Sequence, residues 1–165
     1  MKVTARKINA KDFAPFGKYY NMYQSEQEIA HTKGDSFEDH MTRFPVVDTC
    51  AHLGLTVGSA APCVIVSMEK HSHTQEAILC MRDPILFCVA ASNGDAAPRS
   101  EDIRAFLMEP GDLAIIEREV WHDACHGLGR EAAYYWLALA GKALAVWEKV
   151  VGETELVWED LASEK

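Results

Sequence analysis

Two short segments concentrate the residues able to do chemistry. The first reads Glu69-Lys70-His71-Ser72-His73-Thr74-Gln75-Glu76 and the second Val120-Trp121-His122-Asp123-Ala124-Cys125-His126. If residues 69–73 continue an extended strand, side-chain alternation puts His71 and His73 on one face. Glu76 follows a short turn, at the start of the next strand, so imidazole and carboxylate donors from adjacent strands can meet. His122 adds a third imidazole from a distant strand. Two or three imidazoles with one carboxylate suit a borderline divalent cation such as nickel, zinc, manganese or iron. Mixed sites of this kind keep a coordination position open, and that position does the chemistry. The expected metal set is therefore His71, His73, Glu76 and His122. His126 is a further candidate, whereas His31, His40 and His52 read as loop histidines or supporting groups. A lone H-x-H would be no more than a pair of surface histidines at a strand end. The spacing of Glu76 and of the second cluster favours the metal.

Strands must position these groups. Short apolar runs recur at Leu53–Val57, Cys63–Met68, Ala77–Met81, Ile85–Ala91, Ile103–Met108, Leu113–Ile116 and Ala132–Leu139. Several are rich in Val, Ile, Phe or Tyr and too short for ordinary helices. Ser92-Asn93-Gly94-Asp95 and Glu109-Pro110-Gly111-Asp112 are turn signals between them. The pattern predicts an all-β sandwich or barrel. Helix is scarce: Asn9 caps a short turn over Ala10–Phe16, ended by Gly17. Residues 23–40 are polar and read as a long loop with one short helix at most, and Ala143–Val150 fits helix or strand. No linker divides the chain, so one domain is expected over residues 1–165.

Composition excludes some partners. With 48% apolar and 25% charged residues the chain falls in the globular range. A formal net charge of −9 repels phosphate backbones, which argues against nucleic acid. No basic amphipathic stretch points to a membrane surface, and no apolar run has the length of a membrane span or a signal sequence. Five cysteines, odd in number and never spaced C-x-x-C, read as reduced, core-filling thiols of a cytoplasmic protein.

With these residues in view, a family resemblance emerges. The H-x-H-x-x-E segment, then Pro110-Gly111-Asp112, then Trp121-His122 resemble the two motifs of the cupin superfamily. The early arrival of the Glu resembles the ureidoglycolate lyase family. So do Phe13-Ala14-Pro15-Phe16-Gly17, Glu69-Lys70-His71 and Ile103-Arg104-Ala105-Phe106. The resemblance implies a single cupin-type β-barrel (double-stranded β-helix or jelly roll), a divalent metal, nickel foremost, and a homodimer. It implies a lyase that cleaves a ureido hydroxy acid to glyoxylate and urea. Lys70 and Asp123 are the candidates to move protons, with Glu119 a third. His40 and Arg104 are the candidates to bind substrate. The sequence also departs from the family: Glu76 stands where the family has Gln, Asp123 where it has a second His, and His73 has no counterpart. Glu38 or Asp39 replaces an Arg that would hold a carboxylate. Two alternatives therefore stay open: another metal-dependent cupin lyase, isomerase or dioxygenase on a small polar metabolite, and a non-enzymatic small-molecule-binding cupin.

Overall fold

In the computed structural model the described residues are 1–24, 27–94, 96–141 and 145–159. The chain runs β1 (Lys2–Lys7), α1 (Ala10–Phe13), β2 (Gly17–Asn21), β3 (Ile29–Lys33), β4 (Glu38–Thr42) and β5 (His52–Gly58). It continues through β6 (Ala60–Ala61), β7 (Cys63–Val64), β8 (Ser67–His71), β9 (Glu76–Leu79), β10 (Ile85–Ala90) and β11 (Arg104–Met108). The last six strands are β12 (Asp112–Ile116), β13 (Trp121–His122), β14 (His126–Leu128), β15 (Ala132–Ala138), β16 (Ala145–Lys149) and β17 (Glu155–Trp158). One sheet has the order β16-β8-β13-β10-β11-β1-β17-β7, with β14 and β6 attached at β10. The second has the order β2-β12-β9-β15-β5, and β3-β4 form a separate hairpin.

The apolar runs of the sequence become β5, β9, β10, β11, β12 and β15, and the fold is the expected all-β barrel, its helix among the described residues limited to the four-residue α1 and a 3-10 turn at Ser100–Asp102. The Cys63–Met68 run is broken into β7 and β8. Side-chain alternation divides the core. Ile78, Phe87, Val89, Ala114, Ile116 and Tyr134 fill the space between the two sheets. Leu86, Cys88, Ala105, Leu107 and Trp121 point out of the other face of the larger sheet into a second cluster. Asn9 caps α1, its Oδ1 accepting the Asp12 N–H at 2.9 Å. The helix drives the fully buried Phe13 into the barrel, edge-on to Phe87 and Phe106.

Two segments differ from the sequence reading. Residues 23–40, expected as loop with a short helix, carry β3 and most of the β3–β4 hairpin. This ribbon buries only Ile29 fully, so no apolar alternation betrays it. The ambiguous Ala143–Val150 stretch is strand where described, as β16; residues 143 and 144 lie outside the described residues. None of the five cysteines is in a disulfide. Cys80, Cys88 and Cys125 are buried as expected, but Cys50 is exposed and Cys63 half-buried. Burial pushes the Cys80 thiol up to about 12 and also raises those of Cys88 and Cys125 well above the usual thiol value. No helix among the described residues is long and apolar enough to cross a membrane.

Candidate metal centre

Four donors converge at one mouth of the barrel: Glu69, His71, Glu76 and His122, with one ligand atom from each lying within 4.8 Å of all the others. Alternation places them. On β8, Met68 and Lys70 face the second core cluster while Glu69 and His71 face inward. On β13, Trp121 turns outward and His122, paired in register with Glu69, turns in. On β9, Ala77 points away from the barrel, leaving Glu76 and Ile78 to point in. The loop before His122 is pinned at Glu119, whose backbone takes a left-handed φ of 63° and whose N–H donates to the His71 carbonyl at 2.8 Å.

His71 Nε2 lies 3.3 Å from Glu76 Oε2, and His122 Nε2 lies 3.6 Å from the same oxygen and 4.0 Å from Glu69 Oε1. His122 Nδ1 donates to the Val120 carbonyl at 2.9 Å. That bond fixes the tautomer and leaves the Nε2 lone pair facing the cluster. Nε2 is shut off from solvent and has no hydrogen-bond partner. A buried, unpartnered nitrogen is costly, and a cation among these four donors would satisfy it. The donor set thus fits a divalent metal.

Electrostatics agree. Burial opposes the charge on Glu76, yet the imidazoles of His122 and His71 outweigh it and hold the carboxyl at about 2. Burial also opposes the charge on His122, but Glu76 raises its pKa above 6.5. Desolvation lifts Glu69 above the usual carboxylate range. In metal-free protein the His122 contribution to stability is complete below pH 6.5 and lost as pH rises through the raised value. The Glu76 contribution is complete above pH 4.5 and lost as pH falls toward about 2. A metal needs His122 neutral, so its binding must expel that proton. Metal affinity is expected to rise with pH through the His122 titration, with proton release seen by calorimetry in buffers of different ionisation enthalpy. Affinity that stays flat there would contradict this arrangement.

The structure gathers three of the four expected donors and adds Glu69. His73 is not in the cluster: β8 ends at His71, and His73 Nε2 instead donates to the Leu139 carbonyl at 2.8 Å. It straps the turn to the end of β15, beside Thr74 Oγ1, which accepts the Leu139 N–H at 3.2 Å. Glu69 was legible, since it shares strand parity with His71. Glu69→Ala is therefore expected to strip the metal, while His73→Ala retains it; metal content of the two purified variants decides.

Lys70 leaves β8 on the opposite face. It lies over Trp121 at 4.9 Å and donates to Ser92 Oγ and the Gly94 carbonyl, with Glu119 at 2.9 Å. Arg104 is exposed on the outer wall, donating to the Glu101 and Ile103 carbonyls. His40 sits on the β3–β4 hairpin. Asp123 does line the cavity at the cluster, a space of about 400 Å³ walled by Tyr134, Trp136 and Trp147. Its Oδ2 accepts from His126 Nε2 at 3.2 Å, and Ser59 Oγ lies 3.0 Å from His126 Nδ1. Among the described residues no lysine or arginine lines this cavity.

No curated protein matches the chain. Among solved structures, the rmlC epimerase of Mycobacterium tuberculosis superposes with a TM-score of 0.50 at 10% identity, over 87% of this chain and 72% of that one. ChmJ, a 3'-monoepimerase from Streptomyces bikiniensis in complex with dTDP-quinovose, gives 0.50 at 13% identity, over 87% and 71%. Such distant likeness speaks for the cupin fold and nothing finer. Sequence comparison is more specific, because the family described as ureidoglycolate lyase matches residues 1–157. With that match over nearly the whole sequence, the chain belongs to the ureidoglycolate lyase family.

Proposed function

We propose that the protein is a metal-dependent lyase that cleaves a small ureido hydroxy acid, ureidoglycolate in the first instance, to glyoxylate and urea. Family membership supports the reaction, and the observation that carries the site is the orphaned Nε2 of His122 among three further donors. Glu69, His71, Glu76 and His122 would hold the ion, with nickel the first candidate. A bound divalent ion supplies Lewis-acid polarisation of substrate oxygens. Asp123 moves the proton: its carboxylate accepts the substrate hydroxyl proton and returns it to the ureido nitrogen as the carbon–nitrogen bond breaks, giving the aldehyde and urea. His126 orients that carboxylate through Oδ2. Tyr134 and Trp136 keep the space narrow, and about 400 Å³ suits a small metabolite.

The test is urea release from ureidoglycolate by nickel- or manganese-loaded protein. Metal-dependent turnover establishes the reading; full metal occupancy without turnover sinks it. One observation favours a second reading, a metal-dependent enzyme acting on a less acidic polar metabolite: the cavity offers no described cationic side chain for a carboxylate. Iron in the purified protein together with O₂ uptake would point there.

Two copies are expected to pair through β5. This strand is an edge of its sheet, and its outer face bares Leu53, Leu55 and Val57 at 67%, 58% and 63% exposure, beside Tyr135. Such an apolar edge invites a partner. Leu55→Lys is expected to convert a dimer to monomer by light scattering, and a wild-type monomer at all concentrations would refute the dimer.

A further inference from the structure

Beyond the barrel cluster, a second set of metal donors lies on the β3–β4 hairpin. The antiparallel register sets His31 directly opposite His40 and Lys33 opposite Glu38. Because Glu38 and His40 are two residues apart, they share a face of β4, and His31 joins them from β3. His31 Nε2 lies 3.0 Å from Glu38 Oε1, and the His31 and His40 rings stack at 4.5 Å with planes 12° apart. One ligand atom from each of the three lies within 4.8 Å of the other two. His40 Nδ1 is screened from solvent and has no hydrogen-bond partner, so the ring keeps an unspent lone pair. Tyr23 packs edge-on against this ring at 5.8 Å.

We propose that His31, Glu38 and His40 form a second divalent-cation site, independent of the barrel cluster. Two imidazoles and one carboxylate select zinc, nickel or copper over magnesium or calcium. Three protein donors leave the remaining positions to water or to a ligand arriving from solvent. The ion's first effect falls on the hairpin itself. This two-stranded ribbon belongs to neither large sheet, and such a ribbon is marginal alone. A cation bridging β3 and β4 binds only the paired ribbon and so stabilises it. Lys33 Nζ, 3.4 Å from Glu38 Oε1, supplies the local positive charge that the ion would displace. The net charge of −9 favours cation capture.

The experiment is a zinc titration of chelator-stripped, full-length protein by calorimetry, with hydrogen exchange of residues 29–42 followed in parallel. Wild type is expected to bind two equivalents, with exchange in the hairpin slowed by zinc. His31→Ala/His40→Ala, altered on the outer hairpin, is expected to lose one equivalent and the zinc-dependent protection. His71→Ala/His122→Ala is expected to lose the other equivalent and keep the protection. A single equivalent in wild type with no zinc effect on residues 29–42 overturns the hairpin site. So does protection that survives the hairpin substitutions. Failure of the barrel site would look different, with the hairpin variant binding no zinc at all.

Discussion

Replacing His122 with alanine is expected to empty the barrel site and lower turnover by about a thousandfold. The reasoning begins with position: His122 is 2% exposed, its Nδ1 is committed to the Val120 carbonyl, and only Nε2 faces the cluster. No neighbouring donor can replace that nitrogen, because His73 is bound to Leu139 and His126 to Asp123 and Ser59. Lewis-acid catalysis contributes several kcal/mol, and each ~1.4 kcal/mol is tenfold in rate. The variant should keep its fold, since the neighbouring Trp121 packs on the other face of β13. Metal content and urea release are measured on the same sample. Full metal occupancy in the variant would move the site elsewhere.

Phe13→Ala is expected to produce the largest loss of stability without touching the metal. Phe13 is fully buried, with ring centroids of Phe87 and Phe106 at 5.8 and 5.4 Å in edge-on geometry. Removing such a ring costs about 3–5 kcal/mol, on the order of 10 °C in melting temperature for a chain of this size. The cost combines lost burial with a cavity that α1 cannot collapse into, because Phe16 already packs on Phe106. Metal content per folded molecule should stay at the wild-type level. A melting temperature within about 2 °C of wild type would show that α1 is not part of the core.

The sequence made the barrel readable because its strands obey alternation on two buried faces. In β10 every residue from Ile85 to Ala90 is buried, and the run announces itself. Asn9 likewise marked the start of α1 by local chemistry, whereas the helix ends at Phe13, short of the expected Phe16, and Gly17 opens β2. The candidate donor cluster was readable in part. His71, Glu76 and His122 stand at strand ends beside turn residues, where spacing suffices. His73 looked equivalent to His71 only while the strand was taken to run on. Where β8 stops is settled by Thr74 and Leu139, which come from segments 65 residues apart. Glu69 shares the strand parity of His71, so alternation alone suffices to place it, yet the expected donor set leaves it out. The β3–β4 hairpin was not readable because its strands pair through backbone and charge, with Lys33 opposite Glu38, and only Ile29 is fully buried. Arg104 lay in a segment resembling the family, but sequence does not reveal which side of a strand faces the cavity.

The three buried thiols turn the barrel into its own clock. Thiols raised this far by burial offer almost no thiolate at neutral pH. An alkylating reagent can therefore reach Cys80, Cys88 and Cys125 only when the surrounding strands part. Cys50, exposed on the surface, reacts at once and marks the start of the record. Modification of Cys125, which lies close enough to feel the charge of Glu76, counts openings beside the four clustered donors. Cys88, on the opposite face of β10 from the barrel interior, counts openings of the wall behind them. The ratio of the two labelling rates, with and without metal, would report whether a bound ion steadies the mouth alone or the whole barrel.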